Sequence, residues 1–181
     1  MKKRMSICLF FFIFVSINAS PYLKVEDFII RENADKNDVV KVFLGKVWRE
    51  SDYSKYGTLE ERKTMEIYSG YKNIEKLSYQ GITIYIASLT PEDTHKEVVE
   101  IEVKTNVFVT NGGFSIGDNI NKVLLLYGDP DSSFLDNSQL YYSYEIANPF
   151  MEYDDVQFYQ LQFKVEDGII TAILIYSIFN I

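Results

Sequence analysis

The sequence contains few residues of several types on which common functions depend. Of its 181 residues one is cysteine and one is histidine, and 18 lysines and arginines stand against 26 aspartates and glutamates. Binding to nucleic acid or attraction to anionic lipid needs an excess of basic side chains, so the charge argues against both. A composition that is 47% hydrophobic and 15% aromatic also excludes collagenous, coiled-coil and disordered chains.

The charge is unevenly divided because an N-terminal segment carries bases of its own. Three bases at positions 2–4 precede an apolar run at 7–15, and no acid occurs before Glu26. This run fits a signal peptide and is shorter than the roughly 20 residues of a membrane span. We expect cleavage after Ala19, or one residue later, and export to the periplasm or the medium; the alternative is an uncleaved anchor. Cleavage after Ala19 removes three basic residues and no acidic residue. The mature chain of 162 residues therefore has a net charge of −11.

The single cysteine, Cys8, lies inside the apolar run. A lipid-accepting cysteine would lie at the end of the apolar run, whereas Cys8 lies near its start. We therefore do not expect a lipoprotein. The mature chain then contains no cysteine and no disulfide. The apolar C-terminal stretch 169–181 is rich in β-branched residues and favours a strand over a membrane span, so we expect no transmembrane segment in the mature chain.

The second half of the chain has clear signals for a short helix. Apolar residues at i, i+3, i+4 and i+7 within 119–127 predict one buried helical face. Asp118 is suited to cap its first turn. Gly128 fits the left-handed position after the last turn, and Pro130 prevents the helix from continuing.

Strands follow this helix. Alternation predicts strands at 140–146 and 156–165, with a phase slip near Tyr159 that indicates a β-bulge. The Asp-Gly pair that ends in Gly168 predicts a tight hairpin, and a last strand runs over 169–178.

The first half repeats this order loosely. It has an apolar stretch ending in glycine that we interpret as a helix at 38–44, then a polar loop at 50–61. Strands are predicted at 75–79, 82–87 and 98–103. We therefore expect an α+β fold in which two tandem helix-then-meander units, 20–110 and 111–181, form one curved antiparallel sheet with helices on one face. The alternative is that the two halves are not true repeats, because almost any α+β chain can be divided into a helix followed by strands.

One stretch of the second half carries a resemblance. The run GFSIGDN at 113–119, then Lys122-Val123 and YGDP at 127–130, followed by the turn at Asp167-Gly168, resembles an exported helix-then-sheet module. The β-lactamase inhibitor protein and the small outer-membrane assembly lipoproteins of the SmpA/OmlA type share this unit. The resemblance implies two helical layers on one continuous sheet whose open face contacts a partner. It is strongest over 113–130 and weak before residue 110.

Two departures prevent transfer of a specific function. The inhibitor's repeats are braced by disulfides, and the assembly proteins carry an acylated cysteine, and both features are absent here. The motif residues Asp118, Gly128, Pro130 and Gly168 are interpreted as structural.

Signals for catalysis or metal binding are weak. The sole histidine, His95, has no nucleophile motif to serve, and one histidine without cysteine does not make a usual zinc site. The acidic loop with Glu152, Asp154 and Asp155 lacks calcium-loop spacing, although paired carboxylates could serve glycoside hydrolysis. We expect no cofactor, no metal and no enzymatic activity.

Tyrosine is the most suggestive feature, because all 14 tyrosines follow the signal peptide. Tyrosine joins a large contact area to a polar tip and favours recognition surfaces, but it is also a good strand former. Trp48 is expected to be a packing residue. Candidate partner-binding residues are Tyr53, Tyr56, Tyr141, Tyr153 and Tyr159.

These observations leave three hypotheses. The first is an exported, non-catalytic binding protein that recognises a protein partner through a tyrosine-rich sheet face. The second is an envelope assembly or scaffold component of the SmpA/OmlA type. The third is a small hydrolase that uses carboxylates.

Overall fold

The chain folds mainly into antiparallel β-strands, so the expected α+β class is wrong. The structure, a computed structural model, describes residues 23–33, 41–68, 71–88, 95–137, 139–147 and 156–179. Within these ranges there is a single α-helix, α1 (Asn121–Tyr127), and two short 3-10 turns, Val25–Phe28 and Glu50–Asp52. Helices therefore do not form a layer in each of two tandem units.

Twelve strands lie in the described residues, and they form two sheets. The small sheet has the order β2-β1-β8, and the large sheet has the order β4-β5-β6-β7-β12-β11-β10-β9, with β3 paired to β7 as well. The strands are β1 (Ile30–Glu32), β2 (Lys41–Val42), β3 (Val47–Trp48), β4 (Leu59–Tyr68), β5 (Tyr71–Tyr79), β6 (Ile82–Ala87), β7 (Lys96–Val103), β8 (Phe108–Thr110), β9 (Ser132–Asp136), β10 (Gln139–Ala147), β11 (Val156–Glu166) and β12 (Ile169–Phe179).

The core lies on one face of the large sheet. A row of directly opposed residues crosses six adjacent strands, and each of its members has 0% exposure. The row consists of Leu77, Ile84, Ile101, Ile175, Leu161 and Tyr144. Burying a side chain of this size is worth about 1.5–3 kcal/mol, so the row binds the central strands into one hydrophobic unit.

The predicted helix at 38–44 is wrong where the structure describes it. Residues 41 and 42 form β2, in which Val42 is buried and lies opposite Ile30 of β1. Residues 38–40 lie outside the described residues. The physical reason is the valine content of the stretch, because β-branched side chains pack better on a pleated sheet than on a helix.

The predicted helix of the second half is confirmed, with a different start. Helix α1 begins at Asn121 and buries Val123 and Tyr127. Asp118 does not cap it: the Asp118 carboxylate accepts the backbone N–H of Ser115 at 2.9 Å and pairs with the ammonium of Lys122. At the other end, α1 ends before Gly128, as predicted, and the Gly128 N–H donates to the carbonyl of Leu124 at 2.9 Å. Gly128 has φ +79° but ψ −158°, so its φ is positive while its conformation is not the predicted left-handed helical one. Pro130 follows before β9.

The hairpin between β11 and β12 is confirmed. Asp167 and Gly168 form its two-residue loop with φ values of +50° and +79°, which is the type I′ geometry that Asp-Gly favours. The irregularity predicted near Tyr159 is present but lies slightly earlier in β11, because the register shifts between Val156 and Phe158; a second shift lies between Lys164 and Val165. Tyr159 follows the first shift and packs against the core, like Leu161 and Phe163.

The two separated parts of the 113–130 and 167–170 motif are in direct contact. The N–H of Ile170 donates to the carbonyl of Asp118, and the N–H of Gly117 donates to the carbonyl of Ile170, both at 2.9 Å. The N–H of Ile120 donates to the carbonyl of Gly168 at 2.9 Å. These bonds attach the start of α1 to the β11–β12 hairpin, so the motif has a structural role.

Candidate binding surface

Two of the five candidate tyrosines belong to an aromatic cluster beside β3. Tyr56 is 4% exposed and stacks on Trp48 with ring centroids 5.5 Å apart. Its hydroxyl donates to the carbonyl of Lys41 at 2.8 Å and accepts from the ammonium of Lys46 at 2.9 Å. Tyr53 is half-buried and meets Trp48 edge-on at 5.8 Å. Both tyrosines stabilise the fold, and Trp48 is buried as expected.

Glu75 is the charged centre next to this cluster. It is 6% exposed, and its carboxylate accepts from the guanidinium of Arg62 at 2.8 Å and from the ammonium of Lys96. The hydroxyl of Tyr53 donates to the same carboxylate at 3.4 Å. Burial would raise the pKa of Glu75, but the hydrogen bonds from Arg62 and Lys96 outweigh it and hold the pKa below its usual value.

The other candidates are placed differently. Tyr159 is half-buried and packs against the core, 6.1 Å from the ring of Phe28. Tyr153 lies outside the described residues. Tyr141 lies on the second face of the large sheet, by which we mean the face opposite the core row, because it alternates with core-facing Tyr142 and Tyr144.

Tyr141 is half-buried and forms an aromatic pair with an exposed residue that the sequence did not indicate. Phe134 of β9 lies directly opposite Tyr141 of β10, and their rings stack 5.1 Å apart with 7° between the ring planes. Phe134 is 45% exposed. Burial, and then the negative charges of Asp136 and Glu102, raise the pKa of Tyr141. We call Phe134, Tyr141 and Asp136 the aromatic edge patch.

Among the described strands, β9 is the end strand of the large sheet next to β10. All five of its residues are exposed, and they include Leu135 at 72% exposure. The strand contains no lysine and no proline, residues that commonly prevent edge-to-edge pairing. The opposite end strand, β4, carries charged residues at 60–63.

A polar network lies on the second face next to the patch. The amide of Gln160 donates to Glu145 at 2.7 Å and accepts from the hydroxyl of Tyr176. The amide of Gln162 donates to Ser143 at 2.9 Å and to Tyr176 at 3.2 Å. Burial, and then the charges of Glu100 and Glu145, raise the pKa of Tyr176 to about 12. These hydrogen bonds fix these side chains on the second face.

Within the described residues, no group of three potential metal-ligating side chains comes together. His95 is exposed and directly precedes β7. The acidic residues Glu152, Asp154 and Asp155 lie outside the described residues.

The chain matches no protein-family model, no curated protein and no solved structure in the three comparisons. Among the described residues, no helix has the length and apolar character needed to span a membrane.

Sequence reasoning missed Phe134 because residues 131–138, after the predicted helix, are mostly polar and favour a loop. It missed Gln160 because glutamine carries no strong signal for burial, and Tyr176 because a tyrosine in a strand can face either side. The register of β9 against β10 identifies Phe134, and the registers of β11 against β10 and β12 identify Gln160 and Tyr176.

Replacing Glu75 with glutamine tests the electrostatics of the Tyr53 cluster. Because the folded-state pKa is below the unfolded value, the stabilisation is complete above about pH 4.3 and is lost as the pH falls through the folded pKa. We expect Glu75→Gln to lower the free energy of unfolding at pH 7 by about 1–3 kcal/mol and to weaken its acid dependence. Urea unfolding between pH 7 and pH 3 measures both effects.

Glu60→Gln is the matched control, since Glu60 is exposed on β4 and forms no ion pair within the described part of the chain. It should leave the unfolding curves unchanged. Equal effects of the two substitutions would contradict the role given to Glu75.

Proposed function

We propose that the protein is an exported, non-catalytic binding protein that recognises a protein partner through the aromatic edge patch. The observation that carries this proposal is the stacked pair of exposed Phe134, on the end strand β9, and half-buried Tyr141, on the adjacent strand β10. Aromatic side chains supply much of the binding energy in protein interfaces. Two rings that already stack against each other lose little conformational freedom on binding.

The position of the pair adds two further attractions. The outer edge of β9, which pairs with no further strand among the described residues, presents backbone N–H and C=O groups that an extended segment of a partner can bind. Asp136, two residues along β9 from Phe134, favours a partner with a basic side chain, chiefly by accelerating association. The preferred partner therefore offers an apolar surface or strand next to lysine or arginine.

Export is part of the proposal and has its own test. The bases at 2–4, the apolar run at 7–15 and Ala19 support removal of a signal peptide. We expect the protein recovered from the periplasm or the medium to begin at Ser20, or at Pro21 by the second-choice cut. N-terminal sequencing and intact mass measure this. A chain that retains Met1 and stays with the membrane would contradict cleavage.

Affinity capture tests the binding surface. The mature chain is immobilised and exposed to envelope extract of the producing cells, and the captured partner is quantified by mass spectrometry. We expect the double substitution Phe134→Ala with Tyr141→Ala to lower recovery at least tenfold, since loss of an aromatic hot spot costs about 2 kcal/mol or more.

The control is Leu125→Ala with Leu126→Ala, two exposed apolar residues on α1. These changes remove apolar surface elsewhere and should leave recovery unchanged. A partner that binds the Phe134 and Tyr141 variant as well as the unchanged chain would contradict the patch. Recovery of the protein only in the membrane fraction with an assembly complex would favour the scaffold hypothesis.

A further inference from the structure

A second surface of opposite charge lies far along the chain from the aromatic edge patch, within residues 43–55. It is a cleft of about 320 Å³. Lys46, Arg49 and Lys55 contribute three positive charges to its walls, and Asp52 contributes one negative charge. Such a local excess of base stands out in a chain whose net charge is −8.

Asp52 holds the two lysines in place. Its side chain is 2% exposed, and one carboxylate oxygen accepts from Lys46 at 3.2 Å and from Lys55 at 2.7 Å. The other oxygen accepts the backbone N–H of Arg49 at 2.9 Å. Burial would raise the pKa of Asp52, but these hydrogen bonds, led by that from Lys55, lower it. The carboxylate stays ionised and fixes the positions of the ammonium groups.

Lys46 is further fixed by the aromatic cluster. Its ammonium lies 5.5 Å from the ring centroid of Trp48 and 5.4 Å from that of Tyr56, and it donates to the hydroxyl of Tyr56 at 2.9 Å. Burial lowers the pKa of Lys46, and Asp52 opposes that effect. A partly desolvated ammonium favours a second negative charge close to it.

Arg49 and Ser51 supply donors for that second charge. Both line the cleft, and within the described residues neither side chain forms a hydrogen bond or an ion pair. A guanidinium presents paired N–H groups that match the two oxygens of a carboxylate or phosphate. Phe43 and Val47, each 41% exposed, give the cleft apolar walls.

We infer that this cleft binds the oxyanion group of a small ligand, with Arg49 and Lys55 as its charged contacts and Ser51 as a hydrogen-bond donor. Asp52 and Lys46 are positioning residues. Asp52 fixes the ammonium of Lys55 and the backbone at Arg49, and Lys46 pairs with Asp52. The carboxylate or phosphate lies at the cationic wall, and an apolar substituent packs on Phe43 and Val47.

Amide NMR of the ¹⁵N-labelled mature chain tests the inference. The protein is titrated with sodium phosphate and, separately, with sodium acetate, each against sodium chloride at constant ionic strength. We expect saturable shifts concentrated at the amides of residues 45–55, with a dissociation constant in the millimolar range or tighter, a free energy of about −4 kcal/mol. Tighter binding of phosphate identifies a phosphate-bearing ligand, and tighter binding of acetate a carboxylate.

Arg49→Gln should weaken binding at least tenfold and leave amide shifts outside the cleft unchanged, which shows that the variant is folded. Lys63→Gln is the control, because it removes the same charge from an exposed position on β4. The inference is overturned by shifts that grow linearly without saturation, by shifts elsewhere in the chain, or by equal losses in the two variants.

Discussion

The fold depends on the pairing of β7 with β12. Strands β4 to β7 lie next to each other in chain order, and so do β9 to β12, and in the large sheet β7 and β12 join these two groups. The pairing includes Ile101 opposite Ile175 and Val103 opposite Ile173, all fully buried. Without it, the row of buried residues that crosses six strands would be divided between two separate sheets. The same pairing brings Glu100 next to Tyr176 on the second face, so both faces of the sheet depend on it.

The central strands could be predicted from the sequence, and the end strands could not. The sequences of β6, β10 and β12 are continuously apolar or alternate between apolar and polar residues, because one or both faces of these strands are buried. Such burial produces the hydrophobic patterns from which strands can be predicted. β4 and β9 lie at the two ends of the sheet. β4 carries a run of charge, and β9 is exposed at every position, so neither has the pattern. The sequence around residue 40 predicts a helix because a short apolar stretch that ends in glycine fits a helix as well as a strand. The pairing of β2 with β1 distinguishes the two.

The site was predictable to a smaller extent. A tyrosine in a strand can face either side, and a shift of one residue moves it from the surface to the core. Tyr159 shows this, because the misplaced bulge assigned it to the wrong face. Tyr56 was taken for a surface residue because its loop is polar, whereas Trp48 and Lys46 bury it. Tyr141 alone, among the described candidates, lies on the second face, and its partner Phe134 became visible only through the register of β9 against β10.

Native-state hydrogen exchange across β7 and β12 tests most directly whether the two groups of strands form one cooperative sheet. The account predicts that the slowest amides of β6, β7, β11 and β12 share one opening free energy, equal to that of global unfolding. It would be contradicted if the amides of β4 to β7 opened with a free energy clearly different from those of β9 to β12, because the two groups would then unfold independently.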